Sequence, residues 1–164
     1  MMYDFIQNLN IQNRDKLRIY FHNLGRFDGV FIIDTLITAC DLYGNDTYPD
    51  ILSRNGDIFQ IKYKNLKFID SLKILPQSLD KLQKAFCRNS ERKKGKINFS
   101  ELHIDNLNDF KKQMGKYMKH DVLLLYEILV NAQKYFHTLF PFLDITKKIS
   151  LPSISTYIYR TKYL

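Results

Sequence analysis

The chain has 164 residues, 45% hydrophobic and 14% aromatic, enough to bury one real core, and it is most simply a single domain rather than a disordered tail. Its 25 Lys and Arg against 17 Asp and Glu give a net charge of +8, which favours a polyanionic partner. Two distant cysteines, Cys40 and Cys87, exclude a four-cysteine zinc site and argue against a disulfide scaffold, and the longest apolar run, Val122 to Tyr126, is far short of a membrane span.

The opening residues, Met1 to Asn8, lack the basic segment and apolar core of a secretory signal and the Arg-rich look of a transit peptide. Lysine outnumbers arginine 18 to 7, Asn and Ile are abundant and tryptophan is absent, the bias of a chain encoded by an AT-rich genome. That bias fits an organelle or a small extrachromosomal element. The expected location is the mitochondrion for an organelle- or plasmid-encoded chain, and the cytoplasm or a virus otherwise.

An amphipathic segment from Tyr3 to Leu9 precedes a buried strand over Leu17–Phe21, and the apolar spacing of Val30, Phe31, Ile32, Ile33, Leu36 and Ile37 predicts a helix from Asp28 to about Leu42. Turn residues make a loop of Tyr43 to Pro49. Strands are expected at Ile51–Leu52, Ile58–Tyr63 and Leu66–Asp70, with Asn55-Gly56 as the hairpin turn between the first two, so the sheet is mixed. After Pro76, Leu79, Leu82 and Phe86 fall at helical spacing, and Cys87 to Gly95 reads as a basic loop. The longest helix begins near Leu107 and stops at Pro141; the tail from Ile145 to Leu164 shows little obvious core.

Asn23 and Asp28 follow the first strand and so leave the sheet at its carboxyl edge, where α/β folds hold ligands and metals. The competing reading makes Asn23 a turn cap, Gly25 and Gly29 relief for the backbone, and Asp28 the N-cap of the next helix. Tyr117 and Asp121 lie four residues apart, so phenol and carboxylate share one helix face; that face lines a cleft, or Tyr117 packs while Asp121 is solvated or paired with Lys116 or Lys119. His22, His103, His120 and His137 show no ligand spacing among themselves, and there is no Gly-rich phosphate loop.

Taken together, these segments resemble the 3′–5′ exonuclease domain of the protein-primed family B DNA polymerases, the type found in linear mitochondrial plasmids, some viruses and some phages. Phe21-His22-Asn23-Leu24-Gly25-Arg26-Phe27-Asp28-Gly29 looks like the family's second exonuclease motif, and Tyr117-Met118-Lys119-His120-Asp121 like the third. Phe68 to Pro76, with Ser78-Leu79, resembles the segment that contacts the single-stranded primer end, and Lys94-Gly95-Lys96-Ile97 matches a Lys-x-x-hydrophobic motif. Order and distances agree over almost the whole chain.

The resemblance implies an α/β fold: an RNase H-like (DnaQ-like) exonuclease domain, its mixed sheet flanked by helices and truncated at the N-terminus. Residues 1–145 would form the partial exonuclease domain, and residues 146–164 the start of the connection to an absent polymerase domain. It further implies that Asp28 and Asp121 hold metal, Mg2+ or Mn2+ in the complete enzyme, where two ions about 4 Å apart neutralise the attacking and leaving oxygens. Tyr117 would orient the attacking water and Lys94 would clamp the scissile phosphate. Asn23 and Phe27 would hold the terminal nucleotides by hydrogen bonding and stacking, and Ser71 and Leu72 would line the same groove. The partners implied are the 3′ end of single-stranded DNA, a primer-template and, in the complete system, a terminal protein, with no membrane.

The family's first motif, an Asp-x-Glu upstream of the second, is not found: only 22 residues precede Asn23, and nowhere is an Asp followed two residues later by Glu or Asp. A metal pair deprived of those carboxylates binds weakly, because charge and coordination number set affinity. The expectation is a fragment of a DNA-directed DNA polymerase, a nucleotidyltransferase, carrying most of its proofreading exonuclease domain and lacking full activity by itself. The alternatives are a non-catalytic single-stranded-DNA-binding remnant or decayed gene product, and a nuclease whose missing ligands come from another chain.

Overall fold

The computed structural model describes residues 2–12, 16–44, 47–88 and 107–164. It divides into two compact units, one of Met1–Pro76 with Ile145–Leu164 and the other of Gln77–Asp144.

The first unit opens with helix α1 (Met2–Gln12), then strand β1 (Leu17–Phe21), a 3-10 turn at Leu24–Arg26 and helix α2 (Asp28–Tyr43). Strands β2 (Asp50–Arg54), β3 (Asp57–Tyr63) and β4 (Leu66–Asp70) run on directly into the four-residue helix α3 (Ser71–Ile74). The sheet order is β1-β4-β3-β2, with β4 parallel to β1 and antiparallel to β3, and β3 antiparallel to β2. The α/β class and the mixed sheet expected from the sequence are therefore present, and all four strands lie where the apolar runs put them.

Asn55 and Gly56 both have positive φ, 52° and 80°, as a two-residue turn of the I′ type requires to match the strand twist. Strand β2 is exposed along its whole length at the sheet's outer edge, whereas β4, between two neighbours, is buried at four of its five residues. One face of the sheet packs on α2: Ile61, Tyr63, Leu66 and Phe68 join Leu24, Ile32, Leu36 and Cys40, with Ile6 of α1 closing the cluster. Gln7 of α1 donates from Nε2 to the Tyr63 hydroxyl at 3.2 Å, which satisfies a phenol oxygen inside that core.

The tail contributes more than its sequence suggested. Helix α6 (Leu151–Tyr163) begins in a capping box between Ser150 and Ser153, and Ile145 and Ile154 are each only 1% exposed. Thr146 carbonyl oxygen accepts from the Tyr20 hydroxyl at 2.8 Å, tying the residues before α6 to β1. Isolated isoleucines among polar residues carry no periodic signal, so their burial follows from tertiary placement alone.

The second unit holds helix α4 (Leu79–Phe86) and the 33-residue α5 (Leu107–Leu139). Ser78 caps α4, accepting from Lys81 N–H, and Asn131 of α5 donates from Nδ2 to the Phe86 carbonyl at 3.0 Å. Leu82, Cys87, Leu124, Ile128 and Ala132 are buried. Burial pushes the Cys87 thiol above its ordinary range, with the charge of Glu127 adding to the effect and the Asn131 hydrogen bond opposing it, so the thiol stays protonated and inert.

Candidate nucleic-acid interface

Strands β1 and β4 are parallel neighbours in register, Phe21 opposite Asp70, so the segments that follow them emerge side by side at one sheet edge. Those segments are His22 to Asp28 and Ser71-Leu72. The two stretches picked out 48 residues apart in the sequence are thus brought together in the first unit.

Asn23 has φ 74° and ψ 39°, the left-handed region that Asn tolerates better than most side chains. Its side chain caps nothing; instead its backbone N–H donates to Asp70 Oδ1 at 2.9 Å. The same Oδ1 accepts from the Leu72 N–H at 2.9 Å, making Asp70 the N-cap of α3. Asp70 is 1% exposed, and its second oxygen, Oδ2, is buried with no hydrogen-bond partner among the described residues.

Ser71, also 1% exposed, donates its hydroxyl to the Phe21 carbonyl at 2.8 Å and lies 3.0 Å from His22 Nδ1. A serine has one hydroxyl hydrogen, and a carbonyl cannot supply one. Both contacts are satisfied together only if His22 carries its proton on Nδ1 and donates it to Ser71 Oγ. The Ser71 hydroxyl is therefore engaged within the protein, while half-buried Leu72 faces a cavity of about 500 Å3 lined also by Phe59, Lys73, Pro76, Ser150 and Pro152. Lys73 stands there with Nζ 2.9 Å from Asp57 and 5.3 Å from the Phe59 ring centre. The Lys73 ammonium, by hydrogen bond and charge, holds the Asp57 carboxyl below its ordinary value.

Phe27 occupies the N-cap position of α2 and is 63% exposed, a large free ring beside the strand ends. Asp28 is the first residue of α2 rather than its cap, exposed in the first turn where a negative charge complements the helix dipole. It borders a second cavity, of about 240 Å3, whose other walls are Phe5, Ile6, Phe21, Phe31, Ile32 and Phe68. Close approach of the backbone makes this turn possible: a Cβ on Gly25 would lie 2.9 Å from Ile58 N, and one on Gly29 would lie 2.7 Å from the Leu24 carbonyl oxygen.

Tyr117 and Asp121 share a face of α5 in the second unit. Burial, then the hydrogen bond and charge of Asp121, raise the Tyr117 phenol above its ordinary value, so it remains a donor throughout the neutral and mildly alkaline range. Asp121 Oδ1 is buried without a hydrogen-bond partner among the described residues. Lys94 and its Lys-x-x-hydrophobic motif, Asn45 and Asp46 of the predicted loop, and residues 89–95 of the basic loop lie outside the described residues.

Among the described residues, no three His, Cys, Asp or Glu side chains come together in a way that could hold a metal ion. Two residues of the strand-end constellation escaped the sequence reading, Asp70 and His22 in its contact with Ser71. An Asp that ends an apolar strand before Ser-Leu is an N-cap signal; its bond to Asn23 depends on the parallel pairing of β1 with β4, which local pattern does not reveal.

A profile of the family described as "DNA polymerase type B, organellar and viral" matches residues 8–107 and 100–164. The chain belongs to that family. The resemblance to this polymerase family expected from the sequence accordingly holds. The chain is 31% identical to a probable DNA polymerase of Ascobolus immersus over 90% of its own length and 15% of the relative's. It is 28% identical to a probable DNA polymerase of Neurospora intermedia over 99% of itself and 21% of that protein. Phi29 DNA polymerase complexed with single-stranded DNA superposes with a TM-score of 0.62 at 22% identity, covering 96% of this chain and 28% of that one. The same polymerase complexed with primer-template DNA and incoming nucleotide gives 0.61 at 20% identity, which supports the fold. The chain therefore spans about a fifth of the curated relatives it matches.

Proposed function

We propose that this chain is the greater part of a 3′–5′ exonuclease domain of a protein-primed type B polymerase, and that by itself it binds the 3′ end of single-stranded DNA without hydrolysing it. The observation that carries this reading is the meeting of His22–Asp28 with Ser71-Leu72 at the carboxyl ends of two parallel strands. Such an edge offers what a DNA terminus needs: an exposed ring for stacking at Phe27, an amide at Asn23, and an apolar wall at Leu72. The likeness to a polymerase solved with single-stranded DNA supports the same ligand.

Hydrolysis is a separate matter. Asp28 and Asp121 would be metal ligands in the complete enzyme, and Tyr117 would orient the attacking water by donating or accepting a hydrogen bond. The 164 residues contain no Asp-x-Glu, the pair of carboxylates that would share the ions with them. Lys94 would contribute charge near the phosphate.

The test is to incubate the purified chain with a 5′-labelled single-stranded oligonucleotide, with Mg2+ or Mn2+, and to measure binding and shortening in parallel. Saturable binding without shortening is expected. Metal-dependent shortening abolished by Asp121→Ala would replace the binding-only reading with an active nuclease, and no binding would leave a folded remnant without a DNA site.

A further inference from the structure

The carboxylate of Asp70 joins the two segments that the proposed function assigns to the DNA terminus, and we infer that Asp70 is a positioning residue which sets Asn23 and Leu72 at one fixed separation for the 3′-terminal nucleotide. This inference rests on the reading of that strand edge as a single-stranded-DNA site.

The geometry argues for more than helix capping. Capping a four-residue helix needs one short acceptor, and Ser, Asn and Asp serve almost equally well. Asp70 is instead a carboxylate at 1% exposure with Oδ2 unpartnered among the described residues, a costly group to bury for one cap. What the longer acidic side chain adds is reach and charge: Oδ1 spans to the neighbouring segment and accepts from Asn23 N–H as well as Leu72 N–H, both at 2.9 Å. Ionised acceptors make the stronger bonds to backbone amides.

The bond to Asn23 has a particular target. Asn23 sits at φ 74°, a left-handed conformation that Asn tolerates and most side chains avoid, and it stays there for the chain to leave β1 toward Phe27. The Asp70 bond holds the backbone amide of this residue. Beside it, Ser71 Oγ bonds the Phe21 carbonyl and meets His22 Nδ1, so the strand ends are crossed twice. The Ser71 contacts set the distance between strand ends, while Asp70 alone among these groups holds both the Asn23 and Leu72 backbones.

Asp70→Ser separates the two roles, because a serine still caps Leu72 N–H but is one bond too short to reach Asn23. With the full chain and a fluorescein-labelled oligothymidylate, Asp70→Ser is expected to stay folded and bind about tenfold more weakly, the loss of one charge-assisted bond. Asp70→Asn keeps Oδ1 and its reach but loses the charge, so its affinity should fall between those of the native chain and Asp70→Ser. In the Asp70→Ser background, adding Asn23→Ala should cost little further affinity, because the amide is already misplaced. Amide exchange supplies a readout independent of DNA: the Asn23 N–H should lose protection in Asp70→Ser while the Leu72 N–H keeps it. Native affinity in folded Asp70→Ser, or strictly additive effects of the two substitutions, would overturn the inference, as would unchanged protection at Asn23. If the native chain binds no oligonucleotide but the exchange pattern appears, the DNA-binding reading fails and the strand-end tie survives as structure; the reverse pattern sinks the tie and spares the binding.

Discussion

Gly29 and Gly115 are both helical glycines, and the structure gives them opposite weights. Alanine is the better helix former by about 1 kcal/mol, so propensity alone favours replacing either. At Gly115 on α5 a new Cβ meets nothing within 4 Å, and Gly115→Ala is expected to stabilise the chain by up to about 1 kcal/mol. At Gly29 the Cβ would stand 2.7 Å from the Leu24 carbonyl and 3.2 Å from Ile58 Cδ1, so the backbone of the 3-10 turn must shift. Gly29→Ala is expected to destabilise by about 1–3 kcal/mol. Urea unfolding of both variants checks the pair, and the same sign for both would show that propensity rather than close approach governs Gly29. Asn23, Phe27 and Asp28 were legible in the sequence as residues that leave a strand end, since apolar run and turn chemistry are local. Asp70 was not singled out, and the inward turn of the Ser71 hydroxyl was hidden, because each is decided by a residue nearly 50 positions away across the β1–β4 pair.

Among the elements, the sheet carries a row of like charges that only register exposes. Arg18 pairs with Lys67 and Lys67 with Lys62 in adjacent strands, and Lys62 in turn faces Asp50, its Nζ 2.8 Å from the carboxylate. Directly opposed like charges destabilise a sheet, and here one carboxylate answers three cations. Desolvation, then repulsion from Arg18, Lys16 and Lys62, lowers the Lys67 pKa below 10.5. The sign follows: between the depressed value in the folded chain and the ordinary value in the unfolded one, the unfolded state binds more protons, so stability rises with pH through that window. Below it both states are charged and the repulsion is fully present. Lys67→Glu, which turns repulsion into attraction toward Arg18 and Lys62, should stabilise by a few tenths of a kcal/mol at pH 7 and abolish the alkaline rise. Thermal unfolding from pH 7 to 10 checks both, and a native stability that falls steadily over this range would contradict the sign. The strands themselves were legible from apolar runs and the Asn55-Gly56 turn from its residues, but strand order was not, nor was the burial of Ile145 and Ile154 in the tail, since pairing partners and tertiary contacts leave no periodic trace.

At the scale of the molecule, the excess of 25 basic over 17 acidic residues predicts salt-sensitive attachment to nucleic acid, while Phe27 predicts a contribution that salt does not touch. Phosphate contacts release counterions, and for single strands the logarithm of affinity falls with the logarithm of salt by roughly 0.7 per phosphate neutralised. A stacked ring releases none. Phe27, 63% exposed at the strand edge, is expected to contribute about 1–3 kcal/mol to the binding of an oligothymidylate. Phe27→Ala should therefore weaken binding about ten- to a hundredfold by the same factor at each salt concentration, giving two parallel lines of log affinity against log salt. Lines that converge at high salt would mean that the ring acts by arranging cations rather than by stacking. Lines that coincide would place the DNA on the basic surface alone and remove Phe27 from the site.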